Sequence, residues 1–342
     1  MKFIPCPWNS SRKPGQRTSS GMTHADVEYS YVSANGDYEY TYRHVEMPQT
    51  DEARTYYTLT LKFLKDTSID NTAFSLFSLS SRNVKYASYE YLNTSGTVVN
   101  GSNPTKASTG ALFWKESVQA IYPLYKGSSY FALYGVSDKT QQNGNFGLIV
   151  KDYTITVNGA NSDLGLAFKN DFISETQTNL AGLTLANSAD FKAGDTISLN
   201  VILLPYDKNV SNANNVRKVY QDSVVNPLTV TAETGSVVSD TWIPTVKANG
   251  NKAQFTVSGG VDTTDALGDG ADNVNYTVKV TNCTKLAVPV IEEYVNGAWQ
   301  TYTIASTNGY DGYSVERNED GTLAYSFVFT KSTADRTFRV SF

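Results

Sequence analysis

Apolar and polar residues alternate along most of this chain, and the alternation predicts β-strands. In a strand, neighbouring side chains point to opposite faces, so a period of two marks a sheet that is covered on one face. The segment 56–63 has two alternating sets of side chains. The apolar set is Tyr57, Leu59, Leu61 and Phe63, and the more polar set is Tyr56, Thr58, Thr60 and Lys62. Residues 196–203 repeat the pattern, with Ile197, Leu199, Val201 and Leu203 on one side. Both segments therefore predict antiparallel sheet.

The stretch of residues 114–158 contains two predicted strands that should be covered on both faces. Residues 130–136 are apolar at nearly every position, as expected of a strand between two layers. The next strand has apolar residues of both parities, with Phe146, Leu148 and Val150 on one face and Ile149, Tyr153, Ile155 and Val157 on the other. We interpret this stretch as the core of a large β-sandwich.

Residues 205–228 interrupt the strand pattern and predict one short helix. Val216, Val219, Tyr220 and Val224 recur at helical spacing; Ser211 or Asn212 is placed to cap the start, and Asn226–Pro227 ends the segment. A domain connector and a lid over a site both remain open interpretations. Beyond it, short apolar runs are separated by the turn pairs Asn249–Gly250, Asn296–Gly297 and Asp320–Gly321, a spacing typical of an immunoglobulin-like sandwich.

These patterns predict an all-β fold. We expect two antiparallel β-sandwich domains, joined by a short helical connector and preceded by an extended N-terminal arm. A length of 342 residues suits two domains. The predicted parts are an arm or linker at 1–26, a large sandwich at 27–207, the connector at 208–227 and an immunoglobulin-like sandwich at 228–342.

Composition narrows the classes of partner. Charged residues make up 18% of the chain and the formal net charge is −5, which argues against nucleic acid and anionic membranes as partners. No window has the roughly 18 apolar residues of a membrane-spanning helix. The first twenty residues lack the apolar segment of a signal peptide, so we expect an export signal, or a longer protein, outside this sequence. The low charge and several Asn-x-Ser/Thr sites favour an extracellular or cell-surface location.

Acid and base groups are few. His44 lies beside a predicted strand, and Glu46, Asp51 and Glu52 follow in a loop. Lining a sheet groove, these four would suit a polysaccharide lyase or glycoside hydrolase; the alternative is a strand histidine beside a solvated turn. Glu292 and Glu293 are adjacent on a predicted strand, so they point to opposite faces and cannot form the carboxylate pair of a glycosidase.

Metal and disulfide chemistry have one candidate each. The loop 261–273 carries Asp262, Asp265, Asp269 and Asp272, and Ca²⁺ prefers oxygen ligands in flexible loops. The spacing is not that of an EF-hand, and a plain acidic hairpin loop is the alternative; no other cofactor is indicated. Cys6 and Cys283 are the two cysteines. They lack metal-binding spacing, and whether they pair as a disulfide stays open.

Aromatic residues are the strongest indication of function. Exposed rings form flat platforms on which sugar rings stack. The candidates are Trp114, Trp242 and Trp299, and the stripe Tyr38, Tyr40 and Tyr42 along one face of a predicted strand. The alternative for the stripe is the core face of an amphipathic sheet.

Four stretches resemble a known type of protein: EMPQTDEARTYYTLTLKFL, NFGLIVKDYTITVNG, NVRKVYQDSVVNPLTV and the closing YDGYSV…DGTLAYSFVFT…RTFRVSF. From about Val27 to Phe342 the chain resembles the non-catalytic β-rich regions of large secreted bacterial carbohydrate-active proteins, in which a supersandwich-like domain precedes an immunoglobulin-like module. The resemblance implies an extracellular habitat and a glycan context, and it carries over no catalytic residue.

Three hypotheses of function follow. The favoured one is an extracellular accessory or interaction protein that contacts polysaccharide through exposed aromatic residues, because the acid and base groups are sparse and scattered. The second is a lyase or hydrolase acting in a sheet groove. The third is a structural subunit of a surface layer, filament or phage particle, whose partner is another copy of the chain.

Overall fold

A computed structural model describes residues 2–3, 11–12, 17–20, 23–48, 53–81, 86–102, 118–136, 144–173, 178–261, 274–302, 312–331 and 333–342. The first part of the chain forms the strands β1 (Lys2–Phe3), β2 (Ser11–Arg12), β3 (Arg17–Ser20), β4 (Ala25–Val32), β5 (Tyr38–Glu46), β6 (Thr55–Phe63), β7 (Thr67–Ile69), β8 (Phe77–Ser81), β9 (Tyr86–Leu92), β10 (Val98–Ser102), β11 (Val118–Pro123), β12 (Ser129–Val136), β13 (Asn145–Val157), β14 (Ala160–Asn161), β15 (Leu166–Ile173), β16 (Thr178–Leu185), β17 (Ala189–Phe191) and β18 (Thr196–Tyr206).

Helix α1 (Asn214–Tyr220) follows and runs into a π-helical turn, Gln221–Val225. The remaining strands are β19 (Thr229–Thr234), β20 (Ser236–Val238), β21 (Thr245–Lys247), β22 (Lys252–Ser258), β23 (Val274–Cys283), β24 (Val290–Val295), β25 (Ala298–Thr301), β26 (Tyr313–Arg317), β27 (Leu323–Lys331) and β28 (Arg336–Ser341). The predicted all-β class is confirmed, because strands dominate and the helix of the described residues is the short one that the sequence predicts.

The chain divides into two compact units. Unit 1 comprises Met1–Gln16, Glu28–Arg43 and Tyr57–Arg217, and unit 2 comprises Arg17–Val27, His44–Tyr56 and Lys218–Phe342. The predicted domain boundaries at 26, 207 and 227 stay predictions. Strands β1 and β2, from the segment predicted as an arm, hydrogen-bond to β8 and β4 of unit 1.

Unit 1 is built on two large antiparallel sheets, and it also contains the two-stranded sheet β17-β7. The smaller sheet has the order β1-β8-β16-β15-β11, and the larger sheet has the main order β10-β9-β12-β13-β18-β6-β5-β4-β2. Apolar side chains of both sheets form one core. Within it the ring of Phe131 stacks on that of Phe168, and Tyr57 contacts Phe77 with centroids 5.7 Å apart. This is the sheet-on-sheet packing that the alternation predicts.

Strand β13 differs from its predicted pattern at one point. The pairing of β13 with β18 shifts register between Val150 and Asp152, which marks a β-bulge. The extra residue reverses the parity beyond it, so Ile155 belongs to the same core as Val150, and Tyr153 and Val157 pack against that core. The assignment of Tyr153, Ile155 and Val157 to the face opposite Phe146, Leu148 and Val150 is therefore wrong.

The other face of β12 and β13 is covered too, as predicted. Ile149 is fully buried although it faces away from the main core. Here the start of α1 approaches so closely that a Cβ atom on Gly147 would lie 2.5 Å from a methyl group of Val216. At the helix start, the Asn212 side chain accepts a hydrogen bond from the backbone N–H of Asn214 at 2.9 Å, in line with the predicted cap.

Unit 2 also contains two packed sheets, with the orders β19-β22-β28-β24-β25 and β20-β21-β23-β27-β26. The strand pairs are antiparallel except β21–β23, which is parallel. Both sheets contribute to one core, where Phe329 of β27 stacks on Phe338 of β28 with centroids 4.2 Å apart. Two layers around one core make this unit a β-sandwich.

The outer face of the sheet that contains β23 is covered within unit 2. The hydroxyl of Thr277 donates to the backbone carbonyl of Thr23 at 2.9 Å, and the Thr23 hydroxyl hydrogen-bonds with Ser314 at 2.6 Å. Asn275, Thr277 and Lys279 on this face are all buried. The outer face of the other sheet, which contains β28, carries half-buried and exposed side chains instead.

Candidate functional site

The candidate site lies on the outer face of the sheet β19-β22-β28-β24-β25. Strand register brings its residues together: Arg339 of β28 lies opposite Glu292 of β24 and Gln254 of β22, and Tyr294 of β24 lies opposite Trp299 of β25. The alternate positions Phe255, Phe338 and Ile291 point into the core. We call the surface formed by Gln254, Glu292, Tyr294, Trp299 and Arg339 the aromatic face.

A tight hairpin fixes the two rings of the aromatic face. Asn296 and Gly297 connect β24 and β25, and both have positive φ, 52° and 85°, as a type I′ turn requires. Because a two-residue loop sets the register, Tyr294 and Trp299 stand opposite each other, with ring centroids 5.3 Å apart and planes tilted by 58°. Tyr294 is 49% exposed and Trp299 is half-buried, so the pair presents ring surface to solvent.

Arg339 links the indole to a carboxylate. Its guanidinium carbon lies 4.5 Å from the centroid of the Trp299 ring, within the range of a cation–π contact. The guanidinium donates from Nη2 to Glu292 Oε1 at 2.7 Å and from Nε to Glu292 Oε2. These hydrogen bonds lower the pKa of Glu292 and raise the pKa of Arg339. The site therefore keeps a fixed, charged acceptor beside the aromatic pair.

Polar groups extend the aromatic face across the sheet. Thr256 and Thr337, opposite each other on β22 and β28, hydrogen-bond through their hydroxyls at 2.8 Å. Glu233 accepts a hydrogen bond from Thr256 at 3.1 Å. Rings flanked by amide, hydroxyl and carboxylate groups can stack on the apolar face of a flat molecule and hydrogen-bond to its polar edge.

The other predicted platform residues lie elsewhere. Trp242 is 7% exposed and packs against Tyr56 at 5.2 Å, so its ring offers no open face. Tyr40 is buried in the core of unit 1, and Tyr38 and Tyr42 pack against that core. The tyrosine stripe thus forms the core face of a sheet, the alternative that the sequence left open. Trp114 lies outside the described residues. Trp299 is therefore the one of the three predicted tryptophans that is described and partly exposed.

Two of the four acid–base candidates come together. His44 and Glu46, on the same face of β5, are joined by a contact of 3.0 Å from Nε2 to Oε1. Asp51 and Glu52 lie outside the described residues, so a catalytic role for the group stays a prediction. Glu292 and Glu293 point to opposite faces, as predicted, and Glu293 accepts two hydrogen bonds of 2.7 Å from Arg336.

The metal and disulfide predictions stay predictions. Asp262, Asp265, Asp269 and Asp272 lie outside the described residues; within the described parts of the chain, no three His, Cys, Asp or Glu side chains are grouped as metal ligands. Cys283 is a buried thiol whose pKa is raised to about 11 by burial. Its candidate disulfide partner, Cys6, lies outside the described residues as well.

Sequence reasoning missed Tyr294 and Arg339. A signal for Tyr294 was present, because an Asn–Gly hairpin sets the residues on either side of it opposite one another and therefore pairs position 294 with 299. Arg339 carried no comparable signal. Its position beside Trp299 depends on the order of β28, β24 and β25 in the sheet, which the local pattern does not contain.

A second polar surface lies on unit 1, where hydroxyl groups line the outer face of the larger sheet. Ser30 bonds with Thr41 at 2.9 Å, and Thr60 bonds with Ser198 at 3.1 Å. Thr58 donates to Asn200 at 2.6 Å. These groups satisfy one another across neighbouring strands, as cross-strand pairs that stabilise a sheet do. This surface therefore explains sheet stability and is a weaker candidate for binding than the aromatic face.

No helix within the described residues has the length and apolar character needed to cross a bilayer.

No protein-family model matches the chain, and no curated protein matches it. Among solved structures, GH36 alpha-galactosidase AgaA from Geobacillus stearothermophilus is 8% identical over 63% of this chain and 32% of that chain, with a TM-score of 0.37. The galactosidase domain of the alpha-galactosidase-sucrose kinase AgaSK is 9% identical over 58% and 28%, with a TM-score of 0.36. The chain thus spans about a third of their length, and similarity this low carries no functional conclusion.

Proposed function

We propose that the chain is an extracellular accessory or interaction protein that contacts polysaccharide through the aromatic face. The observation that carries the proposal is the arrangement of Tyr294, Trp299 and Arg339 on a solvent-facing sheet surface. In this proposal unit 1 corresponds to the supersandwich-like part and unit 2 to the immunoglobulin-like module.

Sugars suit this surface chemically. A pyranose ring has an apolar face of C–H groups and an edge of hydroxyl groups. The ring surface of Tyr294 and Trp299 complements the apolar face, and Gln254 and Glu292 complement the hydroxyls. Because β24 and β25 hold the two rings, little ordering is needed on binding, which favours affinity.

Binding without cleavage fits the carboxylates of the same sheet. Most glycosidases need two carboxyl groups within about 10 Å of each other. On this face Glu292 is held by Arg339, and the nearest other glutamate that we identify, Glu233, lies on β19. Strand β19 is three strand spacings from β24, or about 14 Å. The backbone positions of Glu292 and Glu233 are therefore well separated, and each carboxylate is held by a partner of its own, Arg339 and Thr256.

Retardation in native gels that contain a soluble polysaccharide tests the proposal, followed by titration calorimetry for any polymer that binds. We expect Trp299→Ala to weaken binding about thirtyfold, since truncating an aromatic anchor costs about 2 kcal/mol. Tyr125→Ala is the matched control, because Tyr125 is also an exposed aromatic residue but lies on unit 1. Unchanged mobility of the wild type in every polymer, or equal affinity of Trp299→Ala, would overturn the proposal.

A second candidate function is contact with another copy of the chain. The segment that leads into β24, together with the first residue of that strand, exposes an apolar stripe: Leu286 is 71%, Val288 77% and Val290 55% exposed. Exposed apolar patches often mark protein interfaces. This stripe favours the structural-subunit hypothesis. Analytical ultracentrifugation over a range of concentrations tests it against the variant Leu286→Ser/Val288→Ser. Association of the wild type that the variant abolishes would support this function, and a monomeric wild type would exclude it.

A further inference from the structure

The charges at the aromatic face are balanced locally. Arg339 and Glu292 form a bidentate pair on the outer face, and Arg336 and Glu293 form a second such pair on the inward-facing side of the same two strands. Farther across the sheet, Lys252 of β22 and Glu233 of β19 carry one charge of each sign. The described part of this surface therefore has no excess charge of either sign.

Arg339 is also the group that would recognise an acidic sugar, and its charge is already neutralised by Glu292. The guanidinium recognises a carboxylate or sulfate through two parallel N–H donors on one edge. In this structure Nε and Nη2 donate to Glu292, and one face of the guanidinium lies on Trp299. An acidic ligand could repeat this side-on pair only by displacing Glu292. A ligand that approached the remaining Nη1 edge would meet a guanidinium whose charge Glu292 already neutralises.

Glu292 complements a ligand that donates hydrogen bonds. A carboxylate accepts hydrogen bonds and donates none, and each of its oxygens has two lone pairs. Arg339 donates one hydrogen bond to each oxygen of Glu292. Each oxygen can therefore accept a further hydrogen bond from a hydroxyl group. Because Arg339 lowers the pKa of Glu292, this side chain stays an acceptor at neutral and mildly acidic pH.

From this charge balance, and resting on the proposed function, we propose that the aromatic face binds uncharged polysaccharide and discriminates against polymers that bear carboxylate or sulfate groups. Stacking on Tyr294 and Trp299 supplies affinity, and the Glu292–Arg339 pair supplies the discrimination. Hydroxyl-rich neutral glycans satisfy the free acceptor sites, whereas an acidic polymer brings like charge toward Glu292.

The test compares a neutral probe, hydroxyethyl cellulose, with an acidic probe, polygalacturonate, in native affinity gels and calorimetry. We expect the wild type to bind the neutral probe with little change in affinity between about 0.05 M and about 0.5 M NaCl, because no net charge is screened. The key variant is Glu292→Gln, which releases Arg339 from its ion pair. We expect it to gain about tenfold in affinity for polygalacturonate at low salt.

Glu319→Gln is the control, because it changes the net charge equally at an exposed turn position outside the aromatic face; we expect no gain. Wild-type binding to polygalacturonate that exceeds binding to the neutral probe, or a Glu292→Gln variant that gains nothing, would overturn this inference while the proposed function stands. If the wild type binds neither probe, and no other polysaccharide, the proposed function fails and this inference fails with it.

Discussion

The guanidinium of Arg339 lies over the indole ring of Trp299, 4.5 Å from its centroid, and Glu292 holds the guanidinium in that position from the side. The three residues come from β28, β25 and β24, so one contact links three neighbouring strands. The indole stands on the edge strand β25, which has a hydrogen-bonded neighbour strand on one side only. Together with the Tyr294 ring, whose centroid lies 5.3 Å away, the stack orients the indole on this edge strand.

Replacing Arg339 with lysine tests whether this stack prepares the ring for binding. Lysine keeps the charge but lacks the planar fork that pairs with a carboxylate and stacks on an indole. We expect Arg339→Lys to weaken binding of the neutral polysaccharide about three- to tenfold, with Trp299 more mobile and its fluorescence less polarised. The matched control is Arg317→Lys on β26, which should bind like the wild type. Equal binding by Arg339→Lys would mean that the stack does not orient the ring.

Asp195 predicts a pH-dependent contribution to the stability of unit 1. Its buried carboxylate accepts hydrogen bonds from the backbone N–H groups of Asn158, Gly159 and Lys192, at 2.9, 2.8 and 2.7 Å. Burial acts to raise the pKa of Asp195, but the three N–H donors outweigh it and the pKa is lowered below 3.8. The carboxylate thus ties the turn before β18 to the turn after β13.

We expect Asp195→Asn to lower the free energy of unfolding by about 2 kcal/mol at pH 7, since three buried donors lose their charged acceptor. A group whose pKa is lowered by folding contributes fully above its unfolded pKa, and the contribution is lost as pH falls through the folded value. Urea unfolding should therefore show the gap between wild type and variant closing below about pH 4. The exposed Asp163→Asn variant is the control; a gap that is independent of pH would contradict the assignment.

The turn that carries Asp195 shows how far sequence patterns reach. Alternation in β6 and β18 predicted which side chains face the core, because the period of two is a local property of the chain. The residues Lys192–Asp195 include a glycine and an aspartate, a composition typical of a turn. The role of Asp195 depends on Asn158 and Gly159, which are distant in sequence, and no local pattern indicates that pairing.

The ion pair of the buried Glu90 with the partly exposed Arg217 predicts coupling between α1 and the larger sheet. Glu90 is buried, and its Oε1 accepts hydrogen bonds of 2.7 Å from both Arg217 Nε and Tyr130 Oη. Removing Arg217 leaves the buried Glu90 carboxylate without its counter-ion. Because Arg217 is partly exposed, the cost falls below that of a fully buried pair, at about 2 kcal/mol. We therefore expect Arg217→Met to destabilise the protein by about that amount.

The double variant Glu90→Gln/Arg217→Met should recover much of the loss, because no unpaired charge then remains. A double-mutant cycle in urea measures the coupling directly. Effects of Glu90→Gln and Arg217→Met on the free energy of unfolding that simply add would contradict the predicted coupling of Glu90 and Arg217.

The hydrogen bonds of Tyr325 predict that residues 284–289, which connect β23 in one sheet of unit 2 to β24 in the other, are locally ordered. Its hydroxyl accepts a hydrogen bond from the N–H of Ala287 at 3.0 Å and lies 3.0 Å from the carbonyl of Lys285. We expect Tyr325→Phe to cost about 1 kcal/mol and to speed hydrogen exchange at Ala287. Tyr294→Phe, at a tyrosine that is 49% exposed, should change neither the stability nor the exchange rate. Unaltered exchange at Ala287 in Tyr325→Phe would show that the segment is held by other contacts.

The tryptophans show why the site was only partly predictable. Trp242 and Trp299 both follow short polar turns in the sequence, and each was a candidate platform. Trp242 is buried because Tyr56, far away in the chain, packs against it, whereas Trp299 stands on an edge strand. The alternation along a strand predicts the face on which a side chain lies. Whether that face is buried depends on segments that are distant in the sequence. The bulge at Val150 and the buried pair of Arg54 and Asp222 escaped prediction for the same reason.

Nuclear magnetic resonance of the tryptophan side-chain N–H groups tests polysaccharide binding at the aromatic face most directly. The Trp299 and Trp242 signals are assigned from the variants Trp299→Phe and Trp242→Phe, and hydroxyethyl cellulose is then titrated into the wild-type protein. We predict that the Trp299 signal shifts progressively while the buried Trp242 signal stays in place. A stationary Trp299 signal under conditions in which the protein binds the polymer would contradict binding at this face.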